Sequence, residues 1–237
     1  MKKTTLTYAL WSFFALPLLV AQQAKFQFGL NAAVRISDAT YKNDNRPPSH
    51  EDSFNESFTW RLAPGFNLWG RLQASRRVSI QAGLGLDISG YRLKEFTLRS
   101  STPTMPEPIE IGKAKGAIHY YDITVPLSLR WKTGQRFYLT AGVAPLINAG
   151  RKRTIIIHFN TGEQSKTTEK IPESSGLEFK DFNLRGDAGF GYYILTNSRL
   201  HVYAEPLFSY TFLPVYSDDS GGKMGQWYVG VNLGVEL

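Results

Sequence analysis

Along "FNLRGDAGFGYYIL" (182–195), apolar side chains fall on every second position: Phe182, Leu184, Ala188, Phe190, Tyr192 and Ile194. That is the period of a β-strand with two unlike faces. The other face carries Asn183, Arg185, Asp187 and glycines. Eight segments of this kind run along the chain, at 25–36, 58–72, 77–91, 119–131, 136–147, 182–195, 199–212 and 226–237. A helical period fits none of them, and their glycine and β-branched content argues for strands as well.

The connections alternate too. "QASR", "KTGQ" and "TNS" are short and turn-like, whereas 37–57, 92–118, 148–181 and 213–225 are long and polar. Strict alternation puts every long connection at one end of an up-and-down sheet. Several structureless loops of this length are unusual in a compact soluble domain. The apolar stretches "EFTL", "IEI" and "TIIIHF" inside them read as hairpins continuing past the main sheet. The alternative is a further strand pair in the 148–181 loop, giving a ten-stranded barrel.

Period alone does not say which face is wet. A secreted lipocalin-like barrel also has eight alternating strands. Three features favour an apolar face turned outward to lipid. Lysines fall in the connections or at strand ends. The polar face is rich in small residues such as Gly65, Gly85, Gly191 and Gly234, which a narrow eight-stranded lumen needs and a solvent face does not. Large aromatics gather near strand ends on the apolar face: Trp131 and Phe137 beside a short turn, and Trp60, Tyr121, Phe182, Phe212 and Trp227 toward the long connections. Two such rings match the aromatic girdles of a membrane barrel. The expected fold is all-β, an eight-stranded antiparallel up-and-down transmembrane β-barrel.

At the N-terminus, Lys2 and Lys3 precede an apolar run from Leu6 to Val20, and Leu19 and Ala21 suit signal-peptidase cleavage. The run is short for a spanning helix. Residues 1–21 are therefore expected to be a signal peptide and 22–237 the barrel domain. Removing the leader lowers the formal charge from +7 to +5, a mild basicity suited to an anionic surface. The absence of cysteine excludes disulfides, cysteine-based metal sites and a thiol nucleophile.

With lipid outside, Arg35, Arg61, Arg71, Arg77, Asp87, Asp122, Arg130, Arg185, Asp187, Glu205 and Glu236 point inward. Buried charge is costly unless paired, so a network of Arg61, Asp87, Asp122, Arg130, Arg185, Asp187 and Glu205 is expected to plug the lumen. Counting residues from the short turns puts Arg61 beside Asp87 near the outer end, and Arg185 with the acids Asp187 and Glu205 near mid-depth. A narrow channel is the weaker alternative, because eight strands leave room only for side chains. An enzyme acting on lipid, of the lipid A deacylase kind, is another: His201 lies near Glu205, but the residue two positions on is Tyr203 rather than a serine. No catalytic, cofactor or metal site is expected, and the glycine-rich stretches lack nucleotide-loop spacing. Arg151, Lys152 and Arg153 head the longest connection and form a candidate contact with lipopolysaccharide.

"YDITVPLSLRW" followed by "RFYLTAGVAPLI" (121–147), with "YAEPLFSYTF" and "VGVNLGVEL", resembles the PorT-like family of outer-membrane β-barrels, and more loosely the OmpX- and OmpA-like small barrels. The resemblance implies a monomeric barrel in the bacterial outer membrane without catalytic residues, long loops outside and termini in the periplasm. It also implies work in envelope organisation, binding or protein secretion. The expected partners are outer-membrane lipid, lipopolysaccharide and an envelope or secretion protein, with no nucleic acid. Leu237 departs from the terminal Phe common in such barrels.

Overall fold

The computed structural model describes residues 25–43, 45, 47, 52, 55–100, 108–171, 178–197, 200–217 and 222–237. The leader at 1–21 lies outside them. The strands are β1 (Phe26–Lys42), β2 (Phe58–Thr59), β3 (Arg61–Gln73), β4 (Val78–Ser100), β5 (Ile109–Thr124), β6 (Leu127–Lys132) and β7 (Phe137–Phe159). They continue with β8 (Gln164–Lys170), β9 (Glu178–Phe179), β10 (Phe182–Thr196), β11 (His201–Thr211), β12 (Tyr216–Ser217) and β13 (Lys223–Glu236).

β5 and β6 form a single course between β4 and β7, nicked at Pro126, which has no N–H to offer a ladder. Its neighbours bridge the nick: the Gly83 N–H donates to the Pro126 carbonyl at 3.0 Å. The order β1–β3–β4–β5/β6–β7–β10–β11–β13 then returns to β1, making an antiparallel ring of eight courses. The seam joins Gly29–Lys42 to Lys223–Glu236. All eight alternating segments lie in this ring.

The long connections are more ordered than their polarity suggests. β4 and β5 stay paired out to Ser100 and Ile109, and β7 runs on to Phe159 against β5. β8 pairs with β7 and stays off the ring, so the barrel has eight courses rather than ten. β4, β5, β7 and β8 thus build a tall wall on one side of the barrel. The expected placing of lysines is corrected here. Lys94, Lys113, Lys115, Lys152, Lys166 and Lys170 all lie in strands, but in this wall beyond the apolar band.

The two faces of the ring separate sharply. Phe28 is 63 % and Leu86 62 % exposed, whereas Arg71 and Glu236 are each 1 % exposed. A continuous apolar belt of this extent is far larger than a soluble monomer shows to water. Among the described residues no helix is long and apolar enough to cross a membrane, so crossing falls to the strands, whose backbone groups a closed ring satisfies.

Candidate functional site

The lumen is filled in layers. Nearest the short turns, Arg71 donates to Glu236 at 2.6 Å, and the Arg130 guanidinium lies 3.1 Å from Glu205 and 3.9 Å from Glu236. Aromatic rings of Trp69, Tyr138, Tyr193 and Tyr203 surround these ions. The Arg130 guanidinium sits 4.4 Å from the Tyr138 ring centre and 4.7 Å from that of Tyr203. These rings fit because small residues face them: a Cβ on Gly191 would overlap Tyr138.

Above lies an amide layer. Asn67 donates to Asn31 at 3.0 Å, and Asn31 donates to the Tyr203 hydroxyl at 3.3 Å. Higher still, Asp87 takes Arg35 through both oxygens, at 3.1 and 3.3 Å, and Arg185 at 2.6 Å. Arg185 also donates to Asp187 at 2.9 Å, two residues along the same face of β10. The carboxylate has room because Gly65 is its cross-strand partner. Ala39, Tyr41, Phe58, Tyr91, Tyr120 and Met224 close the top.

Five arginines are buried, and the buried acids Asp87, Asp122, Glu205 and Glu236 with the half-buried Asp187 balance them. Desolvated charge is tolerated on these terms. Among the described residues, cavities of about 50 and 20 Å³ lie within the lumen, space for ordered water.

Several expected pairings are replaced. Asp87 stands opposite Gly65, four residues below Arg61, a drop of about 13 Å along a strand. Arg61 instead donates to the carbonyls of Ser89 at 3.0 Å and Ile118 at 2.9 Å. Glu205 meets Arg130 across the lumen rather than Arg185. Asp122 accepts from Ser89 at 3.2 Å and Asn148 at 2.9 Å. Arg77 is exposed in its turn.

On the outer face, Trp60, Trp131, Phe137, Phe182 and Phe212 are each more than half exposed, with Tyr121 and Trp227 half-buried beside them. Phe26, Phe28 and Tyr192 extend the ring near the short turns, with Tyr192 4.9 Å from Phe137 between ring centres. Their in-phase spacing near strand ends was the available signal for them.

The Arg151–Arg153 run does not act as one patch. Strand alternation sends Arg151 and Arg153 to the inner face, where they pair with Asp181 and Glu169. Lys152 points outward, 5.5 Å from the Tyr121 ring centre.

A family model described as an outer membrane protein beta-barrel domain matches residues 20–212. Among solved structures the chain is similar to Ail, the attachment invasion locus protein of Yersinia pestis, at 12 % identity over 89 % of this chain and 99 % of that one, with a TM-score of 0.37. It is similar to the outer membrane protease OmpT from Escherichia coli at 9 % identity, covering 89 % and 95 %, with a TM-score of 0.40. It is also similar to the outer membrane protein OprG from Pseudomonas aeruginosa at 10 % identity, covering 89 % and 95 %, with a TM-score of 0.35. No curated protein matches the chain. The matched span takes in the ring from β1 through β11, and the chain belongs to the outer membrane protein β-barrel domain family.

Proposed function

We propose that this outer-membrane barrel acts as a sealed anchor that binds a protein of the cell envelope through its wall and the adjoining rim, without catalysis or conduction. The leader at 1–21 exports it, the short turns and both termini face the periplasm, and the wall stands outside. The wall carries this reading: among the described residues β8 pairs with β7 alone, along Lys152–His158, and its second edge is the place for a partner strand. The filled lumen supports it further, since its buried charges are ion-paired or hydrogen-bonded within it. The PorT-like resemblance favours a partner in protein secretion and a monomeric barrel.

A photo-crosslinking side chain at Thr167 in β8 should give a discrete protein adduct in intact cells, while the same group at Ala74 in a short turn should not. Equal labelling at both positions, or steady large conductances from the purified barrel in a planar bilayer, overturns the reading.

A further inference from the structure

On the wall, the face that meets lipid lower down becomes cationic higher up. Cross-strand register lines up the outward side chains in rows: Ile88 with Tyr121, then His119 with Lys152 and Lys170. Next come Arg92 with Ala117, Thr154 and Thr168, and then Lys115 with Ile156 and Lys166. The lowest row belongs to the apolar band. The cationic rows start directly above it and run about 13 Å up the strand from His119 to Lys115. They stand where lipid head groups meet a barrel.

A groove of about 850 Å³ follows the same path. Leu62, Pro64 and Ile88 line its lower part, and Arg92, Lys115 and Lys166 its upper part. Arg61 and Lys152 add positive charge beside His119. The acid in the groove, Glu95, already takes Lys113 at 3.3 Å and Lys115 at 3.0 Å. Arg92, Lys152 and Lys166 have no acidic partner among the described residues and are exposed. An apolar floor continuous with the bilayer and unneutralised cations above it complement one kind of molecule, a lipid with an anionic head.

We infer that the outer face of the β4–β5–β7–β8 wall binds a glycolipid carrying phosphates at two heights, with acyl chains on Leu62, Pro64 and Ile88. The lower phosphate meets Arg92, His119 and Lys152, and the upper one Lys166, with Lys115 beside it shared with Glu95. Lys152 is held toward its phosphate by the Tyr121 ring. The site rests on the proposed outward orientation of the wall, and it draws on Lys152 alone of the Arg151–Arg153 run.

The test uses the mature barrel in phosphatidylcholine nanodiscs, titrated with diphosphoryl lipid A or with phosphatidylglycerol, with retained lipid read by native mass spectrometry. Lipid A should bind at least tenfold more tightly than phosphatidylglycerol. Each cation near a membrane surface contributes on the order of fivefold, so Arg92→Gln with Lys152→Gln should weaken lipid A binding about 25-fold. Arg153→Gln, of equal charge per site but on the inner face, should leave it within about twofold. Equal binding of the two lipids, or a loss with Arg153→Gln matching that of the double variant, overturns the site. Heat-modifiable gel mobility checks that each variant folds. Nanodisc binding does not depend on which side faces out, so a failed orientation and a failed lipid site give different results.

Discussion

Arg185 donates to Asp87 at 2.6 Å from the opposite side of the lumen. Their strands, β10 and β4, are separated on the ring by the β5/β6 course and β7, so the bond spans the tube as a strut. With Arg35 on the same carboxylate, it ties three courses to one point.

Asp87→Ala leaves the buried Arg35 guanidinium without an acid and Arg185 with Asp187 alone. Breaking a buried pair by removing one partner costs about 3–5 kcal/mol, and urea unfolding of the barrel in phospholipid vesicles should show a loss of this size. Arg35→Met should cost less, because Arg185 still holds the acid.

Orientation of the faces can be read from single tryptophans. Trp60, Trp131 and Trp227 stand on the outer face and Trp69 is buried inward at 3 % exposure. Lipids brominated on their acyl chains should quench the first three and leave Trp69 bright. Quenching of Trp69 alone would mean that the faces are reversed.

Leu84→Arg sets a cation in the apolar belt of β4, where Leu84 is 59 % exposed. The cost should be about 2–4 kcal/mol, as for arginine at the midplane of a membrane barrel. Thr168→Arg in the wall should change stability by no more than about 0.5 kcal/mol. Equal effects in a refolding titration would exclude lipid contact at Leu84.

Gly191 lies against the Tyr138 ring, while Gly134 has open space around it. Gly191→Ala should therefore cost about 1–3 kcal/mol through overpacking. Gly134→Ala should shift the unfolding midpoint little.

In the water-exposed wall, hydrogen bonds from Lys115 and Lys113 hold Glu95 below the usual carboxylate range. A depressed folded value means that the ion pairs help above the unfolded value and are lost as pH falls through the folded one. Lys115→Gln should raise the Glu95 midpoint, followed by carboxylate carbon NMR; an unchanged midpoint would show that Lys115 does not govern it.

The ring was legible because its signal is local. Phe182, Phe190 and Ile194 declare their face within one segment, and the small residues opposite declare a crowded lumen. The wall was legible only in part: "EFTL", "IEI" and "TIIIHF" marked hairpins running past the sheet, but "GKAKGAI" reads as a polar loop. Yet Lys113, Lys115 and His119 keep the same two-residue phase as Tyr121 and Ile123. Alternation persisted while hydropathy inverted, because the strand left hydrocarbon without ending. Ion-pair partners were less accessible. Arg71 lies 165 residues from Glu236, and who meets whom across a tube depends on the stagger between all eight courses, which no single segment encodes.

The seam from Gly29–Lys42 to Lys223–Glu236 has a consequence for biogenesis. The first and last courses of the chain are each other's neighbours, so the cylinder stays open until the final stretch has emerged and found its place. A polypeptide halted before β13 would carry two raw borders, on β1 and β11, with unspent hydrogen-bonding groups inviting promiscuous association. Closure of the ring therefore waits on β13 reaching β1.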